Sequence, residues 1–230
     1  MSGGPITTRA VTREGLKTPR AAAVAGVIFS ILLLSALVLL RLSVPDSPLE
    51  RGLWLANESH RVAIALNLLP FAGIAFLWFI GVLRARLGER EDRFFATVFL
   101  GSGLLFLAML FTAAAIAGAV LIVHGAEPAA MPDSATFALA RAVAYSLMNV
   151  YAVRIAGVFM ITTSTIALYT GLTPRWIAHL GYGAAAILIF GGGMTDWMFV
   201  VFPLWVLLMS GYILVEDFGP AATKQGGERA

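Results

Sequence analysis

RARLGEREDR, residues 84–93, decides the fold. It places four arginines in ten positions between two long apolar runs, residues 62–83 and 94–123. Four arginines do not readily cross a bilayer, so this block belongs in the cytoplasm and orients the helices on either side of it. Glu89, Glu91 and Asp92 offset the arginines, which makes the block a helix-to-helix hairpin stitched by local ion pairs.

Composition extends that reading to the whole chain. Hydrophobic residues make up 59% of the 230 and charged residues 13%, about half the charged fraction of an ordinary soluble domain. One globular core cannot bury that much apolar surface, so lipid takes the remainder. The net charge is only +3, and the basic residues flank apolar runs instead of forming a stripe. That pattern orients helices in a membrane and argues against nucleic acid as a partner. With no cysteine, disulfides, thiolate metal sites and thiol catalysis are excluded.

Toward the N-terminus, residues 62–83 read as a second span, with Pro70 and Gly73 near its middle and Asn67 just before them. A kink or local unwinding is expected there. Residues 49–60, LERGLWLANESH, are too short to cross and read as a helix in the outer interface anchored by Trp54. Asn57-Glu58-Ser59 fits the glycosylation tripeptide, a sequence common by chance. Two prolines in residues 43–48 end a first span, residues 21–40, which is too long for a signal-peptide core. Residues 1–20 read as a disordered cytoplasmic tail carrying Arg9, Arg13, Lys17 and Arg20.

Toward the C-terminus, residues 94–123 form a third span longer than the hydrocarbon is thick, and it is expected to tilt or protrude. Residues 124–134 are an outer loop in which Ser134 caps the next helix. Residues 136–146 either lie along the interface or extend the fourth span, residues 147–170. GLTPR, residues 171–175, is a tight cytoplasmic turn. A short fifth span, residues 176–190, ends in three glycines, and a sixth begins at a cap of Thr195 or Asp196 and reaches residue 215. Residues 216–230 read as a second disordered tail. The expected fold class is thus all-α: residues 21–215 form one bundle of six transmembrane helices. Eleven basic residues fall on the cytoplasmic side and five (Arg41, Arg51, Arg61, Arg141, Arg154) on the outer side, which predicts N-in, C-in.

Polar groups within the spans are the functional leads, because each is costly in lipid unless satisfied. Arg154 lies in the fourth span with Tyr151, Thr162 and Thr165 on nearly the same side, and Asn149 close by. This set either holds a small anion or a lipid headgroup, or Arg154 snorkels outward or pairs with a carboxylate such as Asp196. Arg141, Tyr145 and Asn149 form a second polar stripe at i, i+4, i+8 on a different face. The hydroxyl run Thr162–Thr165 is expected to bond back to its own helix or across to a neighbour. His60, His124 and His179 are scattered, so no metal or haem site is expected.

Catalytic motifs are absent from the sequence. Gly101-Ser102-Gly103 has the small residues of an intramembrane serine site but no histidine placed to activate it. The opening PRAAAVAGVIFSIL, the length and the six-span layout resemble small bacterial integral membrane proteins of unknown function. That resemblance implies an inner-membrane location and no transferable active site. The expectation is a non-enzymatic accessory or assembly subunit without a cofactor, packed in membrane lipids against a membrane-protein partner or in a homo-oligomer. The alternative is a small transporter or channel for an anionic solute along the fourth helix.

Overall fold

A long apolar segment in lipid must satisfy its backbone groups internally, and the helix does so within a single segment. In the computed structural model all regular structure among the described residues is helical. The structure describes residues 18–45, 47, 49–87, 93–128, 133–171, 173–191 and 197–218. Most of both expected tails, the centre of the charged block and the Thr195 or Asp196 cap lie outside the described residues.

The chain runs through α1 (Thr18–Ser43), a 3₁₀ turn (Gly52–Trp54), α2 (Leu55–Leu87), α3 (Arg93–Ala126) and α4 (Ala135–Ser146). It continues through a π-helical turn (Leu147–Ala152), α5 (Val153–Thr170), α6 (Arg175–Phe190), a 3₁₀ turn (Met198–Val200) and α7 (Val201–Phe218). Among the described residues five stretches are long and apolar enough to cross a membrane: Ala21–Ser43, Gly52–Arg84, Phe94–Ala126, Ala135–Thr170 and Met198–Glu216. The sixth apolar helix, α6, has 16 residues, about 24 Å against a hydrocarbon core of about 30 Å.

α1 runs antiparallel to both α2 and α7. A side chain at Gly26 of α1 would meet Phe79 of α2 and Ser210 of α7, whereas three residues later Phe29 meets Phe76 and Phe202. Phe76 is the hub of the core. Its ring lies 4.5 Å from Phe29, 5.6 Å from Phe106, 5.2 Å from Phe159 and 5.8 Å from Phe202, joining α1, α2, α3, α5 and α7. Lipid tails are as apolar as these rings, so close packing, not expulsion of water, is what holds them together. Gly181 makes the same kind of close approach, between Ser164 of α5 and Trp205 of α7.

Two expectations need correction, and one alternative left open by the sequence is decided. The segment before the second span is no separate interfacial helix, because α2 starts at Leu55 and continues unbroken. Leu55 is fully buried against Val120 and Phe137, a small second core that keeps this turn inside the bundle. Nor does α2 unwind at Pro70. Asn67 donates its side-chain amide back to the Ala63 carbonyl, a bond within its own helix. Finally, residues 136–146 extend the fourth helix: the backbone stays helical through Ser146, Leu147 and Val153.

The ends of this rod follow the sequence. The Ser134 side chain accepts from the Phe137 N–H at 3.1 Å. Gly171 takes φ 66° and returns its N–H to the Ala167 carbonyl, closing α5 in the left-handed form that glycine adopts readily.

Candidate functional site

The five side chains singled out on the fourth helix do not converge. Arg154 is exposed on the outside of the bundle, and its Nη1 donates to the Val150 carbonyl at 3.1 Å. That bond draws the guanidinium back along its own helix, toward the Ala135 end of the rod. Tyr151 is exposed beside it. Thr162 is buried and donates to the Val158 carbonyl at 2.9 Å. Thr165 bonds to the Ile161 carbonyl and crosses to the Tyr182 hydroxyl of α6 at 2.7 Å. Thr163 also bonds back, to Phe159, whereas the buried Ser164 hydroxyl has no partner among the described residues. Asp196 lies outside the described residues.

The second polar stripe has a different fate. Arg141, Tyr145 and Asn149 all line a half-open cavity of about 190 Å³. It occupies the gap between the phenylalanine core and the small Leu55–Val120–Phe137 core. Apolar side chains such as Leu37, Leu66, Leu69 and Met148 form most of its wall. The π turn sets the stripe's geometry, since one extra residue in a helical turn re-aims everything N-terminal to it.

Arg141 closes the cavity at the end that carries the α1–α2 connection. Its Nη1 donates to the Glu50 carbonyl and its Nη2 to the Pro45 carbonyl, each at 2.7 Å. The same guanidinium sits 5.5 Å from the centre of the Trp54 ring. An exposed pair, Arg51 with Asp133 at 3.6 Å, also links the α1–α2 and α3–α4 connections, and an exposed pair contributes little. Arg41, in the last turn of α1, lines the cavity and lies 6.0 Å from the Trp197 ring.

Sequence reasoning passed over Trp54 and Arg41. Trp54 looked like a membrane-interface anchor, yet its ring is on the cavity wall and its indole N–H is buried without an acceptor among the described residues. The i, i+4, i+8 spacing was the available signal for the other three.

A second feature lies on α3. Only 28% of its most apolar stretch is buried, against 61% for Ala135–Thr170. Its outward face carries Ala108, Thr112, Ala115 and Ala119, all exposed. The Thr112 hydroxyl is satisfied by the Ala108 carbonyl at 2.7 Å, so the face is smooth and effectively apolar.

No protein-family model, curated protein or solved structure matches this chain. The helices themselves define the class: the five long apolar stretches make it a multi-pass membrane protein.

Proposed function

We propose that this chain is a six-span protein of the bacterial inner membrane, with both ends cytoplasmic, acting as a non-enzymatic accessory or assembly subunit. The observation that carries the reading is the small-residue face of α3. A helix that meets only lipid gains nothing from small side chains, whereas one that meets another helix gains close backbone approach. Ala108, Thr112, Ala115 and Ala119 recur at four, three and four residues and so share one face. Gly101 continues the exposed surface toward the charged block, with nothing near the place a Cβ would occupy.

The excess of basic residues on the side of the 84–93 block over the opposite side, eleven against five, supports the orientation. For α6 the 16-residue length requires local thinning or protrusion of its ends, a modest cost that packing against α5 offsets. Transport along the fourth helix draws no comparable support, since Arg154 faces away from the bundle and Thr162 is satisfied within its own helix.

The test is gentle purification from native membranes with mass spectrometry of everything retained. A membrane protein should copurify in stoichiometric amount and be lost on Ala115→Trp, while the variant keeps its helicity and elution volume. Recovery of the chain alone and monomeric would sink the reading; a homo-oligomer lost on Ala115→Trp would place the partner surface between copies.

A further inference from the structure

Both cations on the wall of the cavity beside the α1–α2 connection are already committed. Arg141 donates to the Glu50 and Pro45 carbonyls, and Arg41, next to the Trp197 ring, is engaged as well. The Trp54 indole nitrogen is sealed within the protein. No carboxylate among the described residues lines the space. A charged molecule would therefore lose its hydration and gain no ionic contact, which excludes it from so apolar a pocket. The occupant that fits is uncharged.

Tyr145 and Asn149 differ from the arginines. They line the same cavity one and two turns beyond Arg141, about 6 Å and about 12 Å farther along the rod. The Asn149 side-chain nitrogen donates to the Tyr145 carbonyl at 3.1 Å. Neither the Tyr145 hydroxyl nor the Asn149 side-chain oxygen has a hydrogen-bond partner among the described residues. Neither is sealed as the Trp54 nitrogen is, so both keep open surface. Bare polar atoms within a membrane-spanning bundle are costly until something pairs with them.

Complementarity names the missing group. The phenol can donate and the amide oxygen accepts, so a single ligand hydroxyl can take the first bond and give the second. A carbonyl would only accept, leaving the amide oxygen bare. One water could make the same two bonds, but it would leave most of the space of about 190 Å³ unfilled. An apolar cavity of about 150 Å³ takes up one benzene ring, so in proportion this one holds about eight carbon-sized atoms. It is also drawn out, with a lining that extends from Trp54 to Leu69 on α2, about 22 Å of helix. That shape suits a chain better than a compact ring.

We propose that this cavity binds an uncharged aliphatic alcohol, its hydroxyl between Tyr145 and Asn149 and about eight of its carbons along Leu37, Leu66 and Ala117. The proposal is independent of the α3 partner face: Ala113, Ala117 and Val120 line the cavity, whereas Ala108, Ala115 and Ala119 are exposed on the opposite side of that helix.

The experiment uses the full-length chain in phosphatidylcholine nanodiscs with an octanol that carries a photoreactive diazirine, and mass spectrometry locates the adducts. Adducts on the cavity wall should saturate at one per chain, while those on the exposed face at Ala115 rise in proportion to the probe. Excess octanol should remove the cavity adducts; octane and octanesulfonate at the same mole fraction in the disc should not. Tyr145→Phe and Asn149→Leu should each raise the half-saturation point about fivefold, the effect of losing one hydrogen bond, with labelling at Ala115 unchanged. Ala117→Phe, which fills the cavity from α3, should abolish saturation. If that variant does not fold, the other two still decide.

Hexadecanol separates two sources of the same chemistry. Displacement by both alcohols assigns the hydroxyl end of a long-chain alcohol whose tail leaves through the open side, and displacement by octanol alone assigns a free short-chain alcohol. Cavity adducts that rise only in proportion to the probe overturn the proposal, as does a half-saturation point unchanged by both Tyr145→Phe and Asn149→Leu. Displacement by octane as effective as by octanol overturns recognition of the hydroxyl, and equal displacement by octanesulfonate overturns the preference for an uncharged ligand.

Discussion

Arg141 and Arg154 are the same chemical group on one helical rod, and packing gives them opposite roles. Arg141 is 9% exposed and spends its charge on two carbonyls more than ninety residues away in sequence. Arg154 is exposed and satisfied by its own helix. A hydrogen bond to a charged group contributes about 1.5–3 kcal/mol, and both acceptors of Arg141 lie close enough to the bundle end for water to replace part of that. Arg141→Leu should therefore lower the unfolding free energy by about 2–4 kcal/mol, seen as an earlier midpoint in a denaturing-detergent titration. Arg141→Lys should recover less than half, because an ammonium does not match the guanidinium fork that spans two carbonyls. Arg154→Leu should leave the midpoint unchanged. Equal midpoints for Arg141→Leu and the parent chain would remove Arg141 as the tie between α4 and the α1–α2 connection.

At the scale of elements, the π turn decides where that tie points. Removing one residue from it, Val150 for example, should restore regular helix and rotate α4 by about 100° relative to α5. Arg141 would then leave the Pro45 and Glu50 carbonyls. The deletion alone should cost at least as much stability as Arg141→Leu, and adding Arg141→Leu to it should cost little more, since the interaction is already gone. Full additivity in the same detergent titration would show that the turn does not position Arg141. This is also where the sequence stops being legible. Apolar runs, the Ser134 cap and the Gly171 stop are local signals, and each appears where expected. The π turn has no such signal, because LMNVYA carries neither proline nor glycine. The second core is equally silent: Leu55, Val120 and Phe137 are far apart in the chain, and only their meeting explains why α2 starts so early and why a gap opens beside them. Arg154 attracted notice because it interrupts an apolar run, but composition does not reveal the face on which a lone arginine sits.

For the whole molecule, the number of crossings turns on α6. Five crossings put the two ends of the chain on opposite sides of the membrane; six put them on the same side. The rod Ala135–Thr170 has 36 residues, about 54 Å of helix, so it reaches well past the hydrocarbon. α6 has 16 and spans the core only if the bilayer thins around it. Its packing argues for a full crossing. A side chain at Gly157 of α5 would meet Ala185 and Ile189, one at Gly181 meets Ser164, and Gly191 closes on Met198 at the start of the next element. α6 therefore follows α5 back along its length and delivers the chain to the α1–α2 end, where Trp197 lies 6.0 Å from Arg41. The natural absence of cysteine makes this directly measurable. Single cysteines at Ser47 and Glu127 should react with a membrane-impermeant maleimide added to intact cells. Single cysteines at Arg84 and Glu216 should react only after permeabilisation. Labelling of Arg84→Cys and Glu216→Cys on opposite sides would mean that α6 does not cross. Labelling of all four on the sides opposite to those expected would keep six crossings and invert the molecule, moving the cavity to the cytoplasmic face.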